Sequence, residues 1–321
     1  MPDKKSALRF VFPVWIACVY AAWLAVILSG PGFAIFKSHW MYSVMMIFGA
    51  SVAGYTPEGG GAVAYPILSL YFKITPPVAR DFSLAIQAVG MVSAGIYIVF
   101  GKGRDLSFFR HIPLFLLFNF IGFAGVSHFQ VGLPFPVFQM IFVSMALAFI
   151  ASFWITRTFG TEDNFSPDSS RRLVATAVFC MLGGAASAMF GTGSDMLLYI
   201  LLSVYFGVKE KSGTDLSIVL MGLMSLAGIL YRIFVFGDVN PEVFSMWIVA
   251  VPVVTVFAPF GNMLMKTFRK ERMLVFVLLM NGFNFIYWGI RNPAMVLYGL
   301  LVLAAFVVLF SGSFWFRKRS A

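Results

Sequence analysis

Charge is scarce in this chain. Lys, Arg, Asp and Glu make up 11% of 321 residues, and only 13 positions are acidic. A soluble domain carries about a quarter charged residues, so a water-exposed globule is excluded. Cysteine is nearly absent: Cys18 and Cys180 lie inside apolar runs without ligand-type neighbours, which excludes a disulfide framework and leaves two small hydrophobes. The three histidines, His39, His111 and His128, fall singly near expected helix ends, at no metal-ligand spacing. Neither a metal nor a cofactor is expected. Long polar stretches are missing as well: the longest, Gly160 to Arg172, is too short to fold alone, so no soluble domain accompanies the rest.

What is present is apolar sequence. Sixty per cent of the residues are hydrophobic, in repeated runs of about 20, the length that crosses hydrocarbon as a helix. The fold class is an all-α polytopic membrane protein. The formal net charge of +10 raises nucleic acid as a partner, but Lys and Arg sit in short clusters between apolar runs, as juxtamembrane charges do. No nucleic-acid binding is expected. The run from Phe10 to Leu28 follows Lys4, Lys5 and Arg9 like a signal peptide. Its apolar core is too long for one and no small-residue cleavage site follows, so it reads as a retained first helix.

Full spans are expected near residues 10–29, 80–100, 111–128, 134–156, 214–236, 242–265, 272–290 and 294–315. Between them lie two composite segments, 41–72 and 173–206, each split by a glycine-rich break. As one helix such a segment would run about 48 Å, well beyond a core of roughly 30 Å, so each reads as a broken, re-entrant hairpin of two arms. A gapless offset of 134 residues aligns 59–103 with 193–237, and 11 of 45 positions are identical. The matches include Gly59/Gly193, Tyr65/Tyr199, Asp81/Asp215, Ser83/Ser217, Tyr97/Tyr231 and Gly103/Gly237, more than shared apolar composition supplies. The expected organisation is one transmembrane transport domain over 1–321. Repeat 1 covers about 41–157 and repeat 2 about 173–290, with extra helices at 10–29 and 294–315.

Charge sets the orientation. With the N-terminus in the cytoplasm and each hairpin returning to its own side, 18 of 23 basic residues fall inside. They are Lys4, Lys5, Arg9, Lys102, Arg104, Arg110, Arg157, Arg171, Arg172, Lys209, Lys211, Lys266, Arg269, Lys270, Arg272, Arg317, Lys318 and Arg319; the outside loops keep Lys37, Lys73, Arg80 and Arg291. Both termini are then cytoplasmic. Three full spans separate the hairpins, so they enter from opposite faces and the halves are expected to be inverted repeats.

The breaks carry the chemistry. The first is Pro57-Glu58-Gly59-Gly60-Gly61 and the second Gly191-Thr192-Gly193-Ser194-Asp195. A helix that starts at such a tip begins near the midplane, where N–H groups without intrahelical partners and the helix dipole favour an anion. Glycines let a ligand approach the backbone, and Thr56, Thr192 and Ser194 add hydroxyl donors. Glu58 and Asp195 repel an anion, and an ionised acid at that depth costs about 2.5–3.5 kcal/mol. They read either as protonatable groups coupling proton to anion movement or as caps on local N–H groups. Scattered glycines such as Gly90, Gly95 and Gly222 read as helix-packing positions. Asp81 and Asp215 read first as helix-start caps, although their occurrence in both repeats also admits coupling or gating. Arg232 reads as a snorkelling side chain, with a gate as the alternative. Gln87, Asn119, Asn281 and Asn284 either line a path or bond between helices.

At these residues the chain resembles the TauE/SafE family of sulfite exporters and sulfonate permeases, bacterial membrane proteins marked by two copies of a G-x-G-G-G element followed by an apolar arm with proline. Gly59-Gly60-Gly61 with Pro66-Ile67-Leu68 matches the element; the second copy keeps Gly191 and Gly193 but has Ser194 and Asp195 where glycines are usual and Ile200 where proline would be. The resemblance implies a non-enzymatic secondary transporter in the inner membrane for a small anion, sulfite or an organosulfonate, driven by protons or another ion. Two rival readings are a cation-coupled transporter with Glu58 and Asp195 as Na⁺ ligands, and an intramembrane hydrolase with Ser194 as nucleophile.

Overall fold

The computed structural model describes residues 10–102, 106–129, 134–156, 162, 165–265 and 270–319. Lys4, Lys5, Arg9, Arg104, Arg157, Lys266 and Arg269 of the charge count, and Gly103 of the repeat, lie outside the described residues.

The described chain is helical. In order come α1 Val11–Ser29, α2 Ile35–Tyr55, α3 Gly61–Leu70, α4 Pro76–Ile96, α5 Ile112–Phe129, α6 Phe135–Thr156 and α7 Ser170–Phe190. Then follow α8 Ser194–Tyr199, α9 Glu210–Tyr231, α10 Pro241–Leu264, α11 Lys270–Arg291 and α12 Ala294–Arg319. Three helices widen into a π turn at their C-terminal ends: α4 over Tyr97–Gly101, α8 over Ile200–Tyr205 and α9 over Arg232–Phe236. Among the described residues, nine helices are long and apolar enough to cross a membrane. This is an all-α, multi-pass membrane protein.

The span count differs from the eight expected because Ser170–Phe190, taken as one arm of a hairpin, is itself a full span. The first break shows the same inequality. α2 starts at Ile35, six residues before the expected segment, and its 21 residues measure about 31 Å, whereas the 10 residues of α3 measure about 15 Å. Lys37, counted to an outside loop, therefore sits in the first turn of α2. Each break joins a long helix to a short one.

Glycines set the closest crossings. A Cβ on Gly54 of α2 would strike the Ala258 carbonyl of α10, and one on Gly261 would strike the Ser51 carbonyl. Along the same contact Ser43 Oγ donates to Val249 O at 2.7 Å and Asn262 Nδ2 to Gly54 O at 3.1 Å, so the two helices run parallel. Gly122 of α5 and Gly184 of α7 make the matching approach, to the carbonyls of Met181 and Asn119. Backbone contact at small residues is how helices associate where no hydrophobic effect acts between them. In α10, Pro252 has no N–H for the carbonyl of Ile248, which accepts instead from Trp23 Nε1 at 2.7 Å. Tyr20 donates to Pro252 O at 2.7 Å, and these two bonds tie α1 to α10.

At the centre, α4 packs on both α9 and α10. α4 and α9 run antiparallel and are joined at both ends. Lys102 Nζ, just past α4, meets Asp215 Oδ1 of α9 at 2.8 Å, and Arg232 Nε at the end of α9 lies 3.4 Å from Asp81 Oδ1 of α4.

Candidate functional site

The two breaks meet. Around Gly59 of the first tip, the position a Cβ would take lies 2.5 Å from Asp195 Oδ2, 2.8 Å from Thr192 Oγ1 and 3.3 Å from Gln87 Oε1. Gln87 is the twelfth residue of α4, near the middle of the span Pro76–Gly101, so the meeting point lies at mid-depth of a membrane-length helix. Glycine is required at each turn. Gly59, Gly191 and Gly193 have φ of 68°, 73° and 120°, the region that side chains avoid. A Cβ on Gly191 would also strike the Arg80 carbonyl, and one on Gly193 would come within 2.8 Å of Ala186 Cβ.

Two N–H groups of the second tip are answered locally. Asp195 Oδ1 accepts from the Met196 N–H at 3.0 Å, and the Ser194 N–H points at Ser187 Oγ at 3.3 Å. Ser194 Oγ pairs with Ser187 Oγ at 2.8 Å. Thr56 Oγ1 is engaged too: it donates to Val52 O at 3.1 Å and faces the Glu58 N–H at 3.4 Å, closing the end of α2. Of the three hydroxyls expected to serve a ligand, only Thr192 Oγ1 has no hydrogen-bond partner. At the first tip, α3 begins after Gly60 with no side-chain cap, so the first N–H groups of the helix, at Gly61 and Ala62, lack intrahelical acceptors.

Buried acceptors dominate what remains. Glu58, Thr192 and Asp195 are fully buried and Gln87 is 3% exposed, and Glu58 Oε1 and Oε2, Gln87 Oε1, Thr192 Oγ1 and Asp195 Oδ2 have no hydrogen-bond partner. Glu58 directly precedes Gly59, whose Cβ position lies 2.5 Å from Asp195 Oδ2, so the two acids belong to adjoining tips. Ser83, outside the glycine-rich breaks, fixes the group. Its Oγ donates to Gly191 O at 3.0 Å, and Gln87 Nε2 donates to Ser83 Oγ at 2.7 Å and to Gly191 O at 2.9 Å. Its signal in the sequence is the duplicated pair Ser83/Ser217.

The other candidates stand apart from the tips. Asp81 and Asp215 are not caps: each is the sixth residue of its helix, and each carboxylate pairs across the α4–α9 contact with a distant base, Arg232 or Lys102. Asp81 also binds Arg80 Nε at 2.7 Å, and Asp215 accepts from Asn262 Nδ2 at 3.3 Å. Arg232 does not snorkel. It is 6% exposed, lies over the Phe236 ring, and reaches Asp238 Oδ1 at 2.6 Å as well as Asp81. Asn119 and Asn281 donate to carbonyls of their own helices, Phe115 and Val277, whereas Asn284 is buried with no partner at either polar atom. Gly222 packs as expected, its Cβ position falling 2.8 Å from the backbone of Val92.

Comparison with known proteins gives one finding. A family model described as "Sulfite exporter TauE/SafE" matches residues 41–287, a stretch that contains both tips, α4 and α9. No curated protein and no solved structure gives a significant match to the chain.

Proposed function

The chain belongs to the sulfite exporter TauE/SafE family, and from that premise we propose that it is a secondary transporter for a small sulfur-containing oxyanion, sulfite or an organosulfonate, in a bacterial inner membrane with both termini cytoplasmic. The observation that carries the reading is the family match across both breaks, joined to their convergence on Gly59. The oxyanion is held beside the start of α3, where the N–H groups of Gly61 and Ala62 and the helix dipole favour negative charge. The side chains gathered at the meeting point, from both tips and α4, supply acceptor oxygens. Glu58, Asp195 and the unpartnered oxygens of Thr192 and Gln87 favour positive charge instead.

Coupling follows from that division. An oxyanion and a carboxylate about 5 Å apart at an effective dielectric of about 20 repel by about 3 kcal/mol, so the acids must be neutralised when the anion binds. A proton or a cation on Glu58 or Asp195 does this and moves with the substrate. The 134-residue repeat and the antiparallel pairing of α4 with α9 support alternating access between inverted halves. Uptake of labelled sulfite or sulfonate into proteoliposomes is the test. Saturable flux is expected, and no flux for any small sulfur anion under any imposed ion gradient would remove the proposal. The hydrolase reading loses support because Ser194 Oγ pairs with another hydroxyl instead of a base.

A further inference from the structure

Three side-chain oxygens from two elements point at one place. Gln87 cannot present its other face, because its Nε2 is committed to Ser83 Oγ and Gly191 O, which fixes Oε1 toward Gly59. Asp195 spends Oδ1 on the Met196 N–H and turns Oδ2 to the same spot. Thr192 Oγ1 completes the group, and all three atoms are buried without hydrogen-bond partners. A buried polar atom left unsatisfied costs roughly 1–3 kcal/mol, and two acceptor oxygens and a hydroxyl that converge without hydrogen-bonding to anything form an arrangement that a positive ion resolves.

We propose that Gln87 Oε1, Thr192 Oγ1 and Asp195 Oδ2, gathered around Gly59, form a binding site for a monovalent cation of the size of Na⁺. Its role as a coupling site rests on the transporter reading above; the binding itself does not. A proton on Asp195 answers one acceptor at most, whereas a cation takes several oxygens at once. Glu58 has no hydrogen-bond partner, so protonating it leaves its O–H without an acceptor. A divalent ion fits less well. Ca²⁺ takes six to eight oxygens, several from carboxylates, and among the described residues no group of three or more acids, histidines or cysteines is found. Neutral amide and hydroxyl oxygens with one or two carboxylates at broken helices suit Na⁺. Glycine at 59 leaves the oxygens room, since a Cβ there would come within 2.5 Å of Asp195 Oδ2.

The test uses the full chain purified in detergent, titrated with NaCl against choline chloride at constant pH and ionic strength, and followed by ²²Na⁺ binding and thermal unfolding. A saturable, Na⁺-specific signal is expected. Thr192→Val and Asp195→Asn should each weaken it about tenfold or more, while Thr255→Val, whose hydroxyl bonds within its own helix, should leave it within about twofold. Equal behaviour in NaCl and choline chloride overturns the site on the wild-type protein alone, whether or not the variants fold. Retained Na⁺ affinity in both variants overturns it as well. Sulfite flux in proteoliposomes separates the two readings. Na⁺ binding without flux leaves the cation site standing and removes transport; flux indifferent to Na⁺, with no Na⁺ binding, does the reverse.

Discussion

Gly59 occupies the point where the two tips touch, and both its φ of 68° and the oxygens around it exclude a side chain. Gly59→Ala must adopt a left-handed conformation, at a cost of roughly 1–2 kcal/mol, and push Asp195 and Thr192 aside. Flux in proteoliposomes should fall below detection while the variant still folds. Gly125→Ala, with nothing within 4 Å of its Cβ position, should match the parent in both flux and unfolding midpoint. Glu58 yields a different expectation. A buried carboxylate with no hydrogen-bond partner is a destabilising group kept for a purpose. Glu58→Gln removes the charge at nearly constant volume, so the unfolding midpoint in detergent should rise by the equivalent of ~1 kcal/mol or more while ion-driven flux is lost. A variant less stable than the parent would mean that Glu58 already has a favourable partner.

Among the elements, the pairing of α4 with α9 shows what sequence conveyed and what it did not. The breaks at 57–61 and 191–195 were legible because Pro57 and the glycines interrupt apolar runs, and that they would meet was an expectation from the offset and the charge count together. The start of α2 was not, because Lys37, Ser38 and His39 have the composition of a loop yet lie on the first turns of a helix. Nor were the partners of Asp81 and Asp215. A carboxylate near a helix start looks like a cap, and only the fold brings it a cation from more than 100 residues away. The cations are not equivalent by the offset either: Lys102 aligns with Phe236 and Arg232 with Ile98, one turn apart, so no repeated base announced them. The Lys102–Asp215 contact is buried on both sides. Lys102→Met should cost up to about 3–5 kcal/mol by removing one side of a buried ion pair, and adding Asp215→Asn should recover part of that loss. A double-mutant cycle on unfolding in detergent measures the coupling; additive losses would show that the two side chains act separately.

For the whole molecule, the two ion pairs sit at opposite ends of one antiparallel helix pair, with the converged tips between them. Asp81, Arg232 and Asp238 close the end where α4 begins, and Lys102, Asp215 and Asn262 close the end where α4 stops. Glu58, Thr192 and Asp195 are fully buried, so this conformation admits solvent to the tips from neither side. On the proposed transporter reading, conformations must open one end at a time, and we propose that each pair stabilises closure at its own end. Weakening one pair should therefore shift the population toward opening there, by a factor of about ten for each 1.4 kcal/mol of closure removed. Thiol accessibility reads this directly. In a background with Cys18 and Cys180 replaced by serine, Thr192→Cys places a thiol at the second tip. Adding Arg232→Met should speed its labelling by a membrane-impermeant reagent applied at the Asp238 end, outside on the orientation expected from the positive charges. Adding Lys102→Met should slow labelling from that side and speed it from the other. Equal rates from both sides in the two variants would mean that the pairs hold the fold together without gating it.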